Sequence, residues 1–448
     1  MKTTKLPVLL LFVVLCAGQW AFGERSFAFG DDFRLTLGGD VRARYEGFNR
    51  DVIWVDGTAK AGPAVEYLRV RTRAWARLEM PEGVSLNIRF VNRWHKVSSH
   101  FGDPNDNGAA TWEFPDEVIL DLLNIHFADL LGESGLSLTL GRQELGFGNG
   151  MLLSEGTPYD QGRTVYHDGA VLRYKTETDV VTLFSFYNEW KDRFVFINDQ
   201  NRRLRSGDIF TLGAYWTHNV DVRLNVDAYY MYNDVHDDYP DSRDSCERNH
   251  PVDTNLSLHT VGGRVFGRLN DNFDYSLEIA RQGGRNNAGR HNQGMMVDAR
   301  LRYHLPKEIM FTPSIGLELL SLTGDKADTR KSEGWNSLMM ECPLWREELL
   351  PIMNNGVWTN LNMYRGDVVL KLTKKLTFTG ALAALVANET DFSTGGGHYL
   401  GTLFSAFLDY KLFDYLALSA EAAHFKAGDY YVNGQDSVWA RLQATLTF

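Results

Sequence analysis

"EYLRVRTRAWARLEM", residues 66–80, carries two chemistries on alternate positions. Arg69, Arg71, Arg73 and Arg77 share the odd positions with Tyr67, Trp75 and Glu79. Leu68, Val70, Thr72, Ala74, Ala76, Leu78 and Met80 hold the even ones. A period of two is the signature of a strand whose faces meet different surroundings. If the apolar face meets lipid, an arginine turned to mid-bilayer costs about 2–4 kcal/mol. Several arginines on one strand must therefore turn the other way, into the interior of a closed wall. The neighbouring segments sort in the same manner. Asp40, Arg42, Arg44 and Glu46 alternate with Val41, Ala43 and Tyr45, and Asn87, Arg89 and Arg93 alternate with Leu86, Ile88 and Phe90.

The rhythm extends along the whole chain. Eighteen alternating segments are predicted, from 33–48 to 437–448, with sixteen as the alternative because 136–145 and 168–175 are weakly patterned. Tight connections, such as "PEG" at 81–83, "HNV" at 218–220, "PK" at 306–307 and "TKK" at 373–375, alternate with long polar ones. Short turns at one rim and long loops at the other are the arrangement of an antiparallel up-and-down transmembrane β-barrel. An even strand number leaves both termini at the short-turn rim. A secreted sandwich or propeller would also alternate. Against it stand outward aromatics at strand ends (Tyr45, Phe48, Trp94, Tyr230, Tyr232, Tyr303, Tyr410 and Phe425), placed as rings at bilayer interfaces are. The terminal strand also alternates strictly, through Val438, Ala440, Leu442, Ala444 and Leu446 to Phe448.

The chain has 448 residues and a formal charge of −11. Residues 1–23 read as a secretory signal, with Lys2 and Lys5 ahead of an apolar run and Ala21-Phe22-Gly23 as the cleavage pattern. Cleavage removes two lysines and leaves −11 − 2 = −13 on a single barrel domain, 24–448. No other stretch approaches the roughly 20 apolar residues of a membrane helix. Low cysteine usage argues against a disulfide scaffold. Cys246 and Cys342 fall in long loops, bridged or not.

In this acidic chain the arginines collect on the predicted inner face. Arg42, Arg44, Arg69, Arg71, Arg73, Arg77, Arg89 and Arg93 face only Asp40, Glu46 and Glu79 on the first three strands. Arg142, Arg173, Arg223, Arg264, Arg268, Arg300, Arg302, Lys371 and Arg441 follow on later ones. A guanidinium stays protonated and matches a carboxylate with a planar fork of donors. Rings of such groups select anions in pores. Each arginine also has a plainer role, pairing with an inward acid to brace the wall, and the residues leave both open.

"LTLGRQELGFGNGMLL" (138–153) followed by "GRTVYHDGAVLRYKT" (162–176) resembles the alginate export family of outer-membrane barrels. The resemblance rests on Gly141, Arg142, Gln143, Glu144 and Leu145, then on Asp168, Gly169, Leu172, Arg173 and Tyr174, with residues 67–80 similar to the family's early arginine-rich strand. It implies a monomeric barrel of eighteen strands whose electropositive constriction passes a polyuronate along, with Arg142 a lumen contact. The alginate exporter itself is plugged by a sizeable periplasmic loop. Every periplasmic turn here reads as short, so gating would fall to outer loops folding inward, or be absent.

No G-x-S-x-G or H-E-x-x-H spacing is present. His95, His100, His126 and His167 stand isolated, and the acidic stretch 236–244 lacks the spacing of a calcium loop. The expectation is a porin or exporter, not an enzyme, with no cofactor, no metal and no nucleic acid. It conducts anionic polysaccharide or oligosaccharide passively across the outer membrane of a Gram-negative-type bacterium. The substrate-contacting set is Arg42, Arg44, Arg69, Arg71, Arg73, Arg77, Arg89, Arg93, Arg142, Arg173, Arg300 and Arg302. The expected partners are the carbohydrate, the outer-membrane bilayer, the barrel-insertion machinery through the C-terminal strand, and periplasmic export partners where direction is imposed. A general anion uptake porin and a structural barrel sealed by Arg–carboxylate pairs are the alternatives.

Overall fold

The computed structural model describes residues 23–30, 32–49, 52–55, 58–61, 65–97, 112–113, 117–153, 166–189, 195–198, 208–236, 256–286, 289–327, 329–337, 358–391, 395–432 and 434–448, with the side chains of 52–55, 58–61, 65, 67, 93–97, 112–113, 117, 195–198 and 286 outside that description. Residues 1–22 of the proposed signal, Cys246, Cys342, His100 and nearly all of the acidic stretch 236–244 lie outside the described residues.

Eighteen antiparallel strands close on themselves. They are β1 Phe33–Phe48, β2 Val65–Glu79, β3 Val84–Val97, β4 Glu117–Phe127, β5 Leu136–Gln143 and β6 His167–Lys175. Then come β7 Asp179–Asn188, β8 Asp208–Asn219, β9 Asn225–His236, β10 Leu256–Asn270, β11 Phe273–Asn286 and β12 Met295–His304. The circuit ends with β13 Ser314–Leu322, β14 Leu361–Lys371, β15 Leu376–Val386, β16 Tyr399–Phe413, β17 Leu416–Ala427 and β18 Ser437–Thr447. Each pairs with its neighbours in sequence, and β1 pairs with both β2 and β18, as Arg44 opposite Arg69 and Gln443 shows. Closure leaves no unpaired sheet edge, a condition for a β-wall in hydrocarbon. Phe448 completes it by exchanging backbone hydrogen bonds with Gly39. A short strand, Arg25–Phe29, extends the sheet at the terminal rim by pairing with Phe33–Leu37.

Alternation divides the wall as expected. Leu86, Leu123, Leu140, Leu183, Leu212, Val261, Ile279, Leu301, Leu317, Leu382, Phe404 and Leu442 are exposed on one face. Thr182, Thr211, Asn233, Glu278, Asp298 and Glu421 are buried on the other. Such a division suits a barrel with lipid outside and polar groups within.

Three local expectations need correction. β13 starts at Ser314, not 310, and a nine-residue turn, 305–313, replaces the tight "PK" connection. Pro313 has no N–H to give a ladder, and Ile309 and Thr312 close turns on Pro306 and Ile309 instead. Arg223 lies in the β8–β9 turn, where its backbone N–H donates to Asp221 (2.6 Å), so it is not a wall residue. Phe48 and Phe425 face inward, 6% and 4% exposed, rather than outward. They belong to an apolar cluster with Phe186, Leu258, Met296, Leu322, Met363 and Trp439 that packs the inner face near the long-loop rim. The alternation is right, but apolar character does not mark the lipid side where the interior is itself packed.

Candidate functional site

The ladder between β1 and β2 places cation against cation. Arg42 is directly opposite Arg71, Arg44 is opposite Arg69, and Asp40 is opposite Arg73. On the far side of β1, Arg42 faces Thr445 and Arg44 faces Gln443. On the far side of β2, Arg71 faces Arg93. Like charges directly opposite weaken a sheet. Arg44, Arg69, Arg71 and Arg441 all lie near enough to repel the Arg42 guanidinium. These side chains are on the buried face: Arg42 is 6% exposed and Arg44 1%.

Carboxylates offset part of this excess. Asp40 accepts from Arg71 (3.2 Å) and from Arg73 Nε (2.6 Å). Glu46 pairs with Arg69 at 3.2 Å and lies 3.8 Å from Arg441. Arg441 Nε donates to Glu421 at 3.0 Å, and Arg44 Nε to the Gln443 carbonyl oxygen at 2.5 Å. Arg77, half-exposed nearer the short-turn rim, pairs with Glu79 at 3.2 Å. Arg93 lies in β3, and its side chain is outside the described set.

Arg89 reveals a residue that alternation misses. Leu122 pairs with Arg89 and Leu120 with Phe90, so β4 bulges at Asp121. A bulge re-aims a side chain. Asp121, fully buried, takes Arg89 Nε on both oxygens at 3.0 and 3.1 Å, and Glu144 receives Arg89 Nη2. The one sequence signal is an acid interrupting the apolar run "VILDLL". Removing one partner of a buried ion pair costs about 3–5 kcal/mol. Asp121→Ala is therefore expected to lower stability by about 3 kcal/mol, the low end because Glu144 remains. Urea unfolding from lipid vesicles measures it; a loss under about 1 kcal/mol, the scale of an exposed pair, contradicts a buried role.

The other predicted arginines do not join this sector. Arg142 donates to both oxygens of Asp168 at 2.7 Å and to the Leu120 carbonyl at 2.8 Å, and stacks on Tyr166 at 3.9 Å. That is the setting of a brace. Gly141, beside it, has φ +114°, and a Cβ there would stand 2.4 Å from the Leu123 carbonyl oxygen. The glycine of the "GRQELG" motif thus lets β5 close on β4. Arg173 is exposed toward the short-turn rim and makes no ion pair among the described residues. Arg300 pairs with Asp298 (2.8 Å) and Glu318 (3.0 Å), and Arg302 with Asp367 (2.9 Å), on another part of the wall. There, on β9 to β14, acids and arginines are nearly balanced. The cationic surplus belongs to β1–β3.

The connection after β5 turns inward. Leu145, Met151, Leu152 and Leu153 are buried in the apolar cluster, and Phe147 stacks on Tyr215 with ring centroids 4.2 Å apart. Asn149 reaches the wall at β10 to β12. Its amide donates to Asp298 (2.9 Å) and Ser276 (3.3 Å), its carbonyl oxygen accepts from Arg264 (3.2 Å), and its backbone N–H donates to Glu278 (3.3 Å). A segment anchored between β5 and β6 thus crosses the interior to strands well round the circuit. It is a connection of the long-loop rim that folds inward. At the long-loop rim the Tyr431 ring also packs against the cluster, and burial pushes its hydroxyl pKa up.

The decisive comparison is with protein families. The model of the family described as alginate export matches residues 33–445. The chain belongs to the alginate export family. No curated protein matches it individually. Among solved structures this alginate export family member is similar to three Pseudomonas aeruginosa proteins. OccK9 (OpdG) is 10% identical with TM-score 0.58, covering 92% of this chain and 98% of that one. OccK5 (OpdH) is 13% identical with TM-score 0.55 over the same shares. OpdK determined with vanillate is 12% identical with TM-score 0.55, again over 92% and 98%. At these identities the likeness is one of fold. Family and fold are those of outer-membrane transport barrels, and the protein resides in the Gram-negative outer membrane.

Proposed function

We propose that the buried face of β1–β3 lines a water-filled passage through which anionic carbohydrate moves passively, a polyuronate of the alginate type first among them. The observation that carries this is the Arg42–Arg71 pairing: adjacent guanidinium groups on neighbouring strands with Thr445 and Arg93 as the next positions across. A purely structural ladder has no use for such repulsion, whereas a passing carboxylate relieves it. Exposed Arg77 and Arg173 toward the short-turn rim suit a vestibule that attracts anions before the constriction. The apolar outer face of β18, with Val438 and Leu442 exposed, suits recognition by the insertion machinery. No catalytic step is assigned, and gradients or periplasmic partners set direction.

A smaller anion is a narrower version of the same reading, since vanillate, the carboxylate named with OpdK, would meet the same guanidiniums. A second reading, a barrel sealed by its own ion pairs, draws support from Arg69, Arg89, Arg142, Arg264, Arg300 and Arg441, each held by a carboxylate. Conductance of the full-length protein in a planar bilayer, before and after adding polyuronate, separates the three. Block at micromolar to millimolar polymer supports polyuronate passage. Anion conductance without block supports the small-solute version. A folded barrel that conducts nothing supports the sealed one.

A further inference from the structure

Among the described residues the outward face carries a basic patch that transport does not use. The outward positions of β11 run from Ile279, exposed on the lipid side, through Arg281 and Gly283 and past Gly284 at φ +146° to Arg285, with the register to β10 kept. Arg281 and Arg285 are exposed on that face, and neither makes an ion pair or hydrogen bond among the described residues. Arg285 is paired with His291, and His291 in turn with Lys331, all three exposed. One row below, Gly283 is opposite His259, and a Cβ at Gly283 would meet nothing within 4 Å. The result is a notch with arginines above and below it, four residues or roughly 13 Å apart at strand rise. His259, His291 and Lys331 stand on its flanks.

Its depth is fixed by two neighbours. Arg281 shares a row with Val261 and Tyr230, both exposed, and Tyr230 donates to or accepts from His259 at 2.8 Å. Tyrosines in this position mark the bilayer interface. Arg285 leads into the 287–294 connection at the long-loop rim, which is the outer rim. An outward arginine there costs about 0–1 kcal/mol, against about 2–4 kcal/mol at the midplane. Two outward acids at this rim are partnered by tyrosines: Glu66 accepts from Tyr45 at 2.5 Å and Asp208 from Tyr187 at 2.8 Å. Asp234, two strands away, is engaged by Ser257 (3.3 Å) and His236 (3.0 Å), and Glu333, two residues from Lys331, accepts from Thr329 at 3.4 Å. Arg290, close by, is turned to Asp325 at 3.2 Å.

We infer that Arg281 and Arg285, with His291 and Lys331, bind a phosphorylated headgroup of the outer-leaflet lipid. The exposed apolar side chains beside Arg281, Val261 and Met295, and Ile279 below it receive its acyl chains. A guanidinium pair offers a phosphate charge-assisted, bidentate hydrogen bonds. The lipid fits better than a free anion because the cations stand directly above an acyl-facing surface rather than over open water.

The test is native mass spectrometry of the full chain extracted from phosphatidylcholine vesicles containing diphosphoryl lipid A or its dephosphorylated form. Each basic side chain near a lipid surface changes affinity about fivefold. The Arg281→Gln, Arg285→Gln double variant is therefore expected to bind diphosphoryl lipid A about 25-fold more weakly. The Arg281→Lys, Arg285→Lys variant should keep most of the binding, which separates loss of charge from loss of fold. Unchanged conductance of both variants shows an intact barrel. Equal binding by wild type and the glutamine variant overturns the inference, as does equal retention of phosphorylated and dephosphorylated lipid. Displacement by millimolar inorganic phosphate also overturns it, because the site would then be one for a free anion.

Discussion

Deletion of residues 146–152 is expected to raise single-channel conductance severalfold while leaving the barrel folded. These residues belong to the connection that leaves the rim after β5 and inserts Phe147, Asn149, Met151 and Leu152 among inward side chains of β7 to β12. The wall does not depend on them, since every strand keeps both ladder neighbours. Their burial does contribute, at about 1.5–3 kcal/mol for each large apolar side chain, so some loss of thermal stability accompanies the wider opening. Asn149→Ala is the milder version. It removes the bonds to Asp298, Ser276 and Arg264 and should increase fast closures and openings before it changes the mean conductance. Planar-bilayer recording reads both. A deletion variant with wild-type conductance contradicts the placement of this segment across the passage.

Arg42→Glu should move selectivity toward cations and should weaken the fold less than a buried charge reversal usually does. At present Arg42 faces Arg71 and is repelled by Arg44, Arg69 and Arg441 as well. A carboxylate in its place turns those repulsions into attractions, each cross-strand pair being worth about 0.2–1 kcal/mol. The melting temperature in detergent is therefore expected to fall only slightly as anion preference falls. If Arg42 were instead a brace, the same substitution would lower stability and leave selectivity alone. The two measurements on one variant thus separate the roles that sequence left equally open.

The wall was legible because period-two alternation is forced by strand geometry and then sharpened by lipid. Residues 66–80 say which face is inside before any partner strand is known. The register within the arginine sector was less legible. Alternation gives a face but not an opposite number, so the Arg42–Arg71 contact could not be read from either strand alone. Asp121 escaped because a bulge breaks the phase on which the assignment depends. Phe48 and Phe425 were misplaced because the interior near the outer rim is apolar, and hydrophobicity has no sign for inside and outside. The inward segment had a signal, the run "GMLL" within a polar connection, but a connection has no period that would give its direction. Arg142 shows the limit of motif reasoning: the motif placed it on the inner wall, and Asp168, paired with it across β5 and β6, decided its partner.

The most direct measurement is the zero-current potential of the unmodified protein across a potassium chloride gradient in a planar bilayer. A passage lined by the β1–β3 guanidinium groups predicts a potential of the sign set by chloride, shrinking as salt screens the lining. A potential of the opposite sign, or a folded barrel with no measurable current, would contradict it.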